Sequence, residues 1–303
     1  MLSILNYITW DVSPFIYEGD HFAIGWYGVL ITLSSLALLC IFLYIFKKEN
    51  QPTQYAFLLF LVTSVMTYFM AHIFHCVFYE WYYYEDDPIH LFGTQLYWRN
   101  PMLEHPWTLL NIAQGGFASH GCVFGALVGA IFLRKGLSCS FYWLFDRIMI
   151  GSCNMLFVRI GNLMSGEIYG VTTTLPWGFV FNGETLPAHP TQIYEIAYFL
   201  VAFIVGIVLL FRTNAGKYKG FISGLLLLLI FVPRFVIEFW KLPQADFETG
   251  WLFNMGQLLS IPYIIWGVYM LVRSIQQGPQ TNIAPMVTLN HKQRKQLKNG
   301  YKR

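Results

Sequence analysis

Apolar residues in this chain gather into seven long stretches, over 24–46, 55–79, 114–133, 141–164, 191–211, 220–240 and 255–274. Each is about 20 residues or more, the length a helix needs to cross the hydrocarbon core of a bilayer. The pattern predicts an all-α polytopic integral membrane protein with seven transmembrane helices. The stretch over 191–211 is the cleanest, whereas that over 141–164 carries Asp146, Arg147 and Arg159.

The polar connections between the stretches fall into two unlike sets. Lys47, Lys48, Arg134, Lys135, Arg212, Lys217, Lys219, Arg273 and the bases of the tail HKQRKQLKNGYKR make up 14 of the 19 Lys and Arg, and all lie on one side of a seven-span arrangement. The other side holds Asp11, Glu18, Asp20, Glu80, Glu85, Asp86, Asp87, Glu104, Glu184, Asp246 and Glu248, with Arg99 and Lys241 as its bases. Basic loops stay in the cytoplasm, so the N-terminus is expected outside and the C-terminus inside. Six or eight spans would break the segregation. Seven Trp (26, 81, 98, 107, 177, 240 and 251) fall at or beyond the outer ends and suit an outer aromatic girdle. The expected organisation is one transmembrane domain over 1–275, with outer-face segments 1–23, 80–113 and 165–190. A basic cytoplasmic tail over 276–303 would lie near anionic lipid.

Composition agrees: 56% of residues are hydrophobic and 12% charged, far from the roughly 25% charged of soluble domains. The opening segment lacks the basic n-region of a cleavable signal peptide. The five cysteines form no CxxC pair, which argues against a disulfide framework or a structural zinc site. His72, His75 and His120 lack the further ligands and the HExxH spacing of a metal site. No nucleotide loop, GxSxG elbow or basic nucleic-acid surface is present.

The charges that remain inside the stretches are the candidate chemistry, because a charge in hydrocarbon is costly and marks function by default. With the orientation above, Tyr27, His120, Gln192, Glu195, Gln257 and Ser260 lie near the outer ends of their helices. His72, His75, Arg159, Asn162, Arg234 and Glu238 also fall in outer halves. Arg159 and Asn162 are i,i+3 neighbours, as are Gln192 and Glu195, and Arg234 and Glu238 are i,i+4. Arginine suits a phosphate because its planar fork donates two hydrogen bonds to one group. Gly115, Gly116, Ser119 and Gly121 leave space beside His120. Asp146–Arg147 is expected at the cytoplasmic end as an interface pair without chemistry. A transporter or scramblase would need the polar groups to continue through the cytoplasmic halves, and those are almost purely apolar.

Five blocks in colinear order carry a resemblance to a known family. SHGCVFG (119–125), RIGNLMSGEIYG (159–170), HPTQIYE (189–195), RFVIEFWK (234–241) and NMGQLLSIP (254–262) resemble those of the prolipoprotein diacylglyceryl transferases, as do IGWYG (24–28) and FYE (78–80). The resemblance runs from about residue 20 to 272. It implies seven membrane helices in the bacterial inner membrane and no cofactor. It also implies transfer of the diacylglyceryl group of phosphatidylglycerol to the lipobox cysteine of prolipoproteins, giving a thioether and glycerol phosphate.

By the same resemblance the essential arginine is Arg159, followed by Asn162, Glu167 and Gly170. The second phosphate-binding arginine is Arg234, followed by Glu238. The histidine is His120 and the first-helix tyrosine Tyr27. The chain departs from the family at Cys122, Ser165 and His72, where glycine, asparagine and arginine are usual. The expected mechanism has Arg159 and Arg234 on the phosphate in the outer leaflet. Tyr27 and Asn162 would touch the headgroup, and His120 would be the base for the thiol. Glu167, Glu195 and Glu238, with Gly170, Gln192 and His72, would support them. A homologue that binds lipid or lipoprotein without turnover is the further reading.

Overall fold

The computed structural model describes residues 7–83, 89–91, 94–96, 98–112, 116–137, 139–243, 246–248 and 251–280. The expected tail over 276–303 lies outside them from residue 281 onward. Helix α1 covers Trp26–Lys48, α2 Thr53–Phe78, α3 Pro101–Glu104, α4 Ser119–Gly136, α5 Phe141–Ser152, α6 Leu156–Met164, α7 Thr191–Arg212, α8 Phe221–Ile237 and α9 Met255–Gln277. Among the described residues five helices are long and apolar enough to cross a membrane: α1, α2, α7, α9 and α8 with its 3₁₀ extension to Trp240. The protein is thus a helical, multi-pass membrane protein. The 18-residue α4 and the pair α5–α6 pack among these five.

Where this architecture differs from the apolar pattern, the causes are local. Helix α4 starts at Ser119 rather than near 114, because Gly116 has φ +75° and Ala118 donates its N–H to the carbonyl of Ala71 on α2 (3.0 Å). The stretch over 141–164 is not one helix. A 3₁₀ turn, Cys153–Met155, separates α5 from α6. There the Asn154 amide donates to the Ser34 carbonyl (2.6 Å) and hydroxyl (2.9 Å) of α1. A 3₁₀ insertion shifts the helical phase, and so sets the face on which α6 presents Arg159 and Asn162. Helix α9 opens on a capping box in which Asn254 and Gln257 bond one another's backbone, so the Gln257 side chain acts as a cap. It runs to Gln277, two residues into the expected tail. Asp146 and Arg147 do not pair with each other. Asp146 accepts from the Ser223 hydroxyl (2.6 Å) and amide (2.8 Å) on α8, while Arg147 forks onto Glu49 and packs over Trp143.

Small residues bring helices to backbone contact. A Cβ at Gly121 would strike Met70 O and Ala71 Cα, and one at Gly125 would strike Met66 O and Thr67 Cα. The four-residue spacing makes this the small-xxx-small contact typical of membrane helices. Gly224 and Gly267 serve α8 and α9 in the same way. Gly121→Val is expected to cost about 1–3 kcal/mol through overpacking, read as a lower unfolding temperature in detergent.

The end of the bundle where α6 stops and α7 starts is capped by the segments around it. Strand β1 (Ile8–Trp10) pairs in parallel with Phe179–Phe181, and the Trp10 indole donates to Leu163 O (2.9 Å). Leu163, Phe179, Phe181 and Ala188 form a small separate core beneath them. This cap fixes the ends of α6, α7 and α8 against each other.

Candidate functional site

At the capped end, three helices bring their charges to one carboxylate. Glu195, in the second turn of α7, is fully buried. Its Oε2 lies 2.8 Å from Arg159 Nε of α6, and its Oε1 2.9 Å from Arg234 NH1 of α8 and 2.8 Å from Lys241 Nζ. Glu238 lies 3.9 Å from both Arg234 and Lys241. Arg159 NH1 donates to Asn162 Oδ1 (2.9 Å), the i,i+3 pair expected on one face. All six side chains are buried.

The cluster is held together but not saturated. The Arg159 Nε–H does not point at Glu195 despite the short separation, and Arg234 Nε and one oxygen each of Glu195 and Glu238 also have no hydrogen-bond partner among the described residues. Buried polar groups are normally satisfied, so such a gathering singles this cluster out as the candidate site. Three cations against two carboxylates leave one net positive charge when all five are ionised. Lys241, just past the helix end, feels opposing pulls: burial draws its ammonium below the ordinary value, while Glu195 and Glu238 hold it up.

The other residues marked in the sequence take definite places around this centre. Gly170 lets the segment after α6 run against the chain after α8: it bridges to Lys241, Val171 N donates to Trp240 O (2.7 Å), and a Cβ at Gly170 would strike Trp240 O. It thereby positions Lys241. The Gln192 amide donates to Glu167 O (2.6 Å), so it is the backbone of Glu167 that is held while its side chain is exposed. Tyr27 packs on Gly161 of α6. His72 is buried on α2, with its ring nitrogens facing Thr108 O (3.2 Å) and Gly116 O (3.4 Å).

Two adjoining cavities meet at Arg234, Ser119 and Phe117. One is polar, about 410 Å³, and its lining includes Arg159, Arg234, His75, Tyr79 and Glu80. The other is an apolar cleft between helices, lined by residues such as Ile31, Leu38, Phe42, Ile230 and Phe231, with Tyr27 on its wall. Charge beside hydrocarbon is the shape of an amphiphile.

His120 lines neither cavity, although its neighbour Ser119 lines both. Its ring is fully buried, stacked on Phe231 and Tyr263, with Nε2 3.0 Å from Ser260 Oγ and Nδ1 without a partner among the described residues. Ser260 donates its own hydrogen to Gly256 O (2.6 Å), so the proton shared with His120 sits on Nε2. The Tyr263 hydroxyl donates to His120 O (2.7 Å).

Sequence reasoning gave Lys241, His75 and Glu80 no role in the candidate site, although His75 falls among the outer-half polar groups and the other two lie in the RFVIEFWK and FYE blocks. Lys241 carried a signal, being one of two bases on an otherwise acidic side and three residues from Glu238. Nothing in the pattern distinguishes His75 from His72.

Fold and site together define a polytopic membrane protein that handles an anionic amphiphile. The sequence matches the family model of prolipoprotein diacylglyceryl transferase over residues 14–273. It is 35% identical to a phosphatidylglycerol–prolipoprotein diacylglyceryl transferase of Tolumonas auensis, over 89% of this chain and 98% of that one. Enzymes of the same name from Chloroherpeton thalassium and Porphyromonas gingivalis are 36% and 32% identical, over 90% and 91% of this chain and 96% and 97% of theirs. The chain belongs to the prolipoprotein diacylglyceryl transferase family. It is a transferase and a multi-pass protein of the bacterial inner membrane.

Proposed function

We propose that Arg159 and Arg234 together hold the phosphodiester of phosphatidylglycerol, with its acyl chains in the apolar cleft. The enzyme transfers the diacylglyceryl group of that lipid to the cysteine thiol of prolipoproteins. One observation carries the site assignment: guanidinium groups from α6 and α8 line a single cavity, joined through Glu195. The thiol sulfur attacks the glycerol carbon that bears the phosphate. The carbon–oxygen bond breaks, and the electron pair leaves on the phosphate oxygen, where the arginines offset the developing charge. Asn162 orients Arg159, Glu195 and Glu238 orient Arg234, and Tyr27 stands where headgroup and chains meet. Gly170 and Gln192 hold the loop that carries Glu167, and His72 supports the α2 end.

The charge distribution supports seven crossings, with α4 and the α5–α6 pair completing the five long helices. It favours an N-terminus outside, a tail in the cytoplasm and a site in the outer leaflet. The catalytic domain is then 1–275. The direct test gives purified protein phosphatidylglycerol and a lipobox peptide, and uses mass spectrometry to find diacylglyceryl on the cysteine. Absence of product while lipid still binds would favour a non-catalytic role.

The base is the role for which sequence and geometry point to different residues. For His120, sealed between Phe231, Tyr263 and Ser260, the geometry supports a positioning role. His120→Gln can keep the bond to Ser260, and is expected to leave transfer within about tenfold of wild type across pH 6–9, below the roughly 10²–10⁴-fold of a lost general base. A larger loss with a flattened pH profile would return the base to His120.

A further inference from the structure

The polar cavity has a part that phosphate binding does not use. His75, in the last turn of α2, and Glu80, just beyond it, both line it. His75 Nε2 lies 3.6 Å from Glu80 Oε1. The ring stacks on Tyr79, with centroids 6.0 Å apart and planes at 12°. Gly116, at φ +75°, closes against it: a Cβ there would overlap the Cδ2 and Nε2 atoms of the imidazole. Three separate contacts therefore hold an imidazole in the wall of the cavity that also contains both arginines. A base must reach the proton that it takes, and a neighbouring carboxylate stabilises the imidazolium that results.

We propose that His75 is the base that deprotonates the incoming cysteine, and that Glu80 is the residue that positions and stabilises it. The inference rests on a phosphate held by Arg159 and Arg234 in the same cavity. A free thiol ionises near about pH 8.5, so it needs such a base at neutral pH. The thiol proton passes to His75. The sulfur electron pair forms the sulfur–carbon bond, and the carbon–oxygen pair leaves on glycerol phosphate. The imidazolium then returns its proton to that phosphate or to water.

Glu80 is the carboxylate that faces the His75 ring, at 3.6 Å, and Arg159 and Arg234 line the same cavity. Among the described residues the other titratable neighbours are His72, Tyr79, Tyr82 and Cys76, whose thiol bonds to Glu80, while α4 and the turn before it contribute Phe117, Ala118 and Ser119 to this cavity.

The test uses the full-length enzyme in detergent, measuring transfer to a lipobox peptide from pH 5 to 9 and binding of phosphatidylglycerol in parallel. His75→Gln should lose about 10²–10⁴-fold in transfer while keeping lipid binding. Free imidazole should restore part of the rate to His75→Ala. Glu80→Gln should move the acidic limb of the profile to lower pH, because an imidazole without its carboxylate holds its proton less tightly. The proposal is overturned if His75→Gln keeps transfer within about threefold, or if the acidic limb of Glu80→Gln stays where it is in the wild type. If His75→Gln does not fold, the Glu80→Gln profile decides alone. Failure of the phosphate site itself would appear separately, as undiminished lipid binding by Arg234→Ala.

Discussion

Arg234→Ala is expected to lower transfer by at least about 10²–10³-fold, the usual cost of removing one preorganised donor from a developing charge. Among the described residues Arg234 is the one charged residue that lines both the polar cavity and the apolar cleft. It therefore stands where the polar cavity meets the apolar cleft. Its removal also leaves Glu195 with two cations instead of three, which adds an electrostatic cost to the lost contact. Arg234→Lys should recover little, since an ammonium cannot reproduce a fork that faces Glu195 and a phosphate together. Arg159→Ala should show a loss of the same order, because its guanidinium reaches the same cavity from α6. The check is initial-rate transfer at saturating peptide, with lipid concentration varied.

The second large effect is on stability. Glu195→Gln should destabilise the protein by about 3–5 kcal/mol, because it strands buried cations that had one shared partner. Arg159, Arg234 and Lys241 all lie within 3 Å of the Glu195 carboxylate. Glu238, at 3.9 Å from Arg234 and Lys241, is too far to replace it. Thermal unfolding in detergent should show a lower midpoint, partly restored by phosphatidylglycerol but not by a neutral diacylglycerol. An unchanged midpoint would mean that the three cations do not depend on Glu195. Glu195 is thus the structural hub of the cluster, and the arginines are the part of it that lines the cavity.

Much of this arrangement is legible in the chain. Long apolar runs define the spanning helices, because a bilayer demands both length and apolarity. Arg159, Glu195 and Arg234 stand out because charge within such runs is rare. What is not legible depends on contacts between distant segments. Hydropathy averages over residues and does not detect the 3₁₀ turn at Cys153–Met155, which exists because Asn154 reaches Ser34 on another helix. It does not show that Gly116 and Ala118 delay the start of α4. Lys241 lies beyond the end of its helix, where the bridge with Gly170 accompanies its turn inward to Glu195. His72 and His75 look alike as letters, yet one is enclosed against backbone carbonyls and the other lines the cavity.

Equilibrium lipid binding reaches the central claim, that two guanidinium groups from separate helices share one phosphate. Phosphatidylglycerol should compete against a diacylglycerol of the same acyl chains for wild-type enzyme and for the Arg159→Gln/Arg234→Gln double variant, read by native mass spectrometry. A strong preference of the wild type for the phosphate-bearing lipid, abolished in the double variant, is the predicted result. Equal preference in both proteins would contradict it.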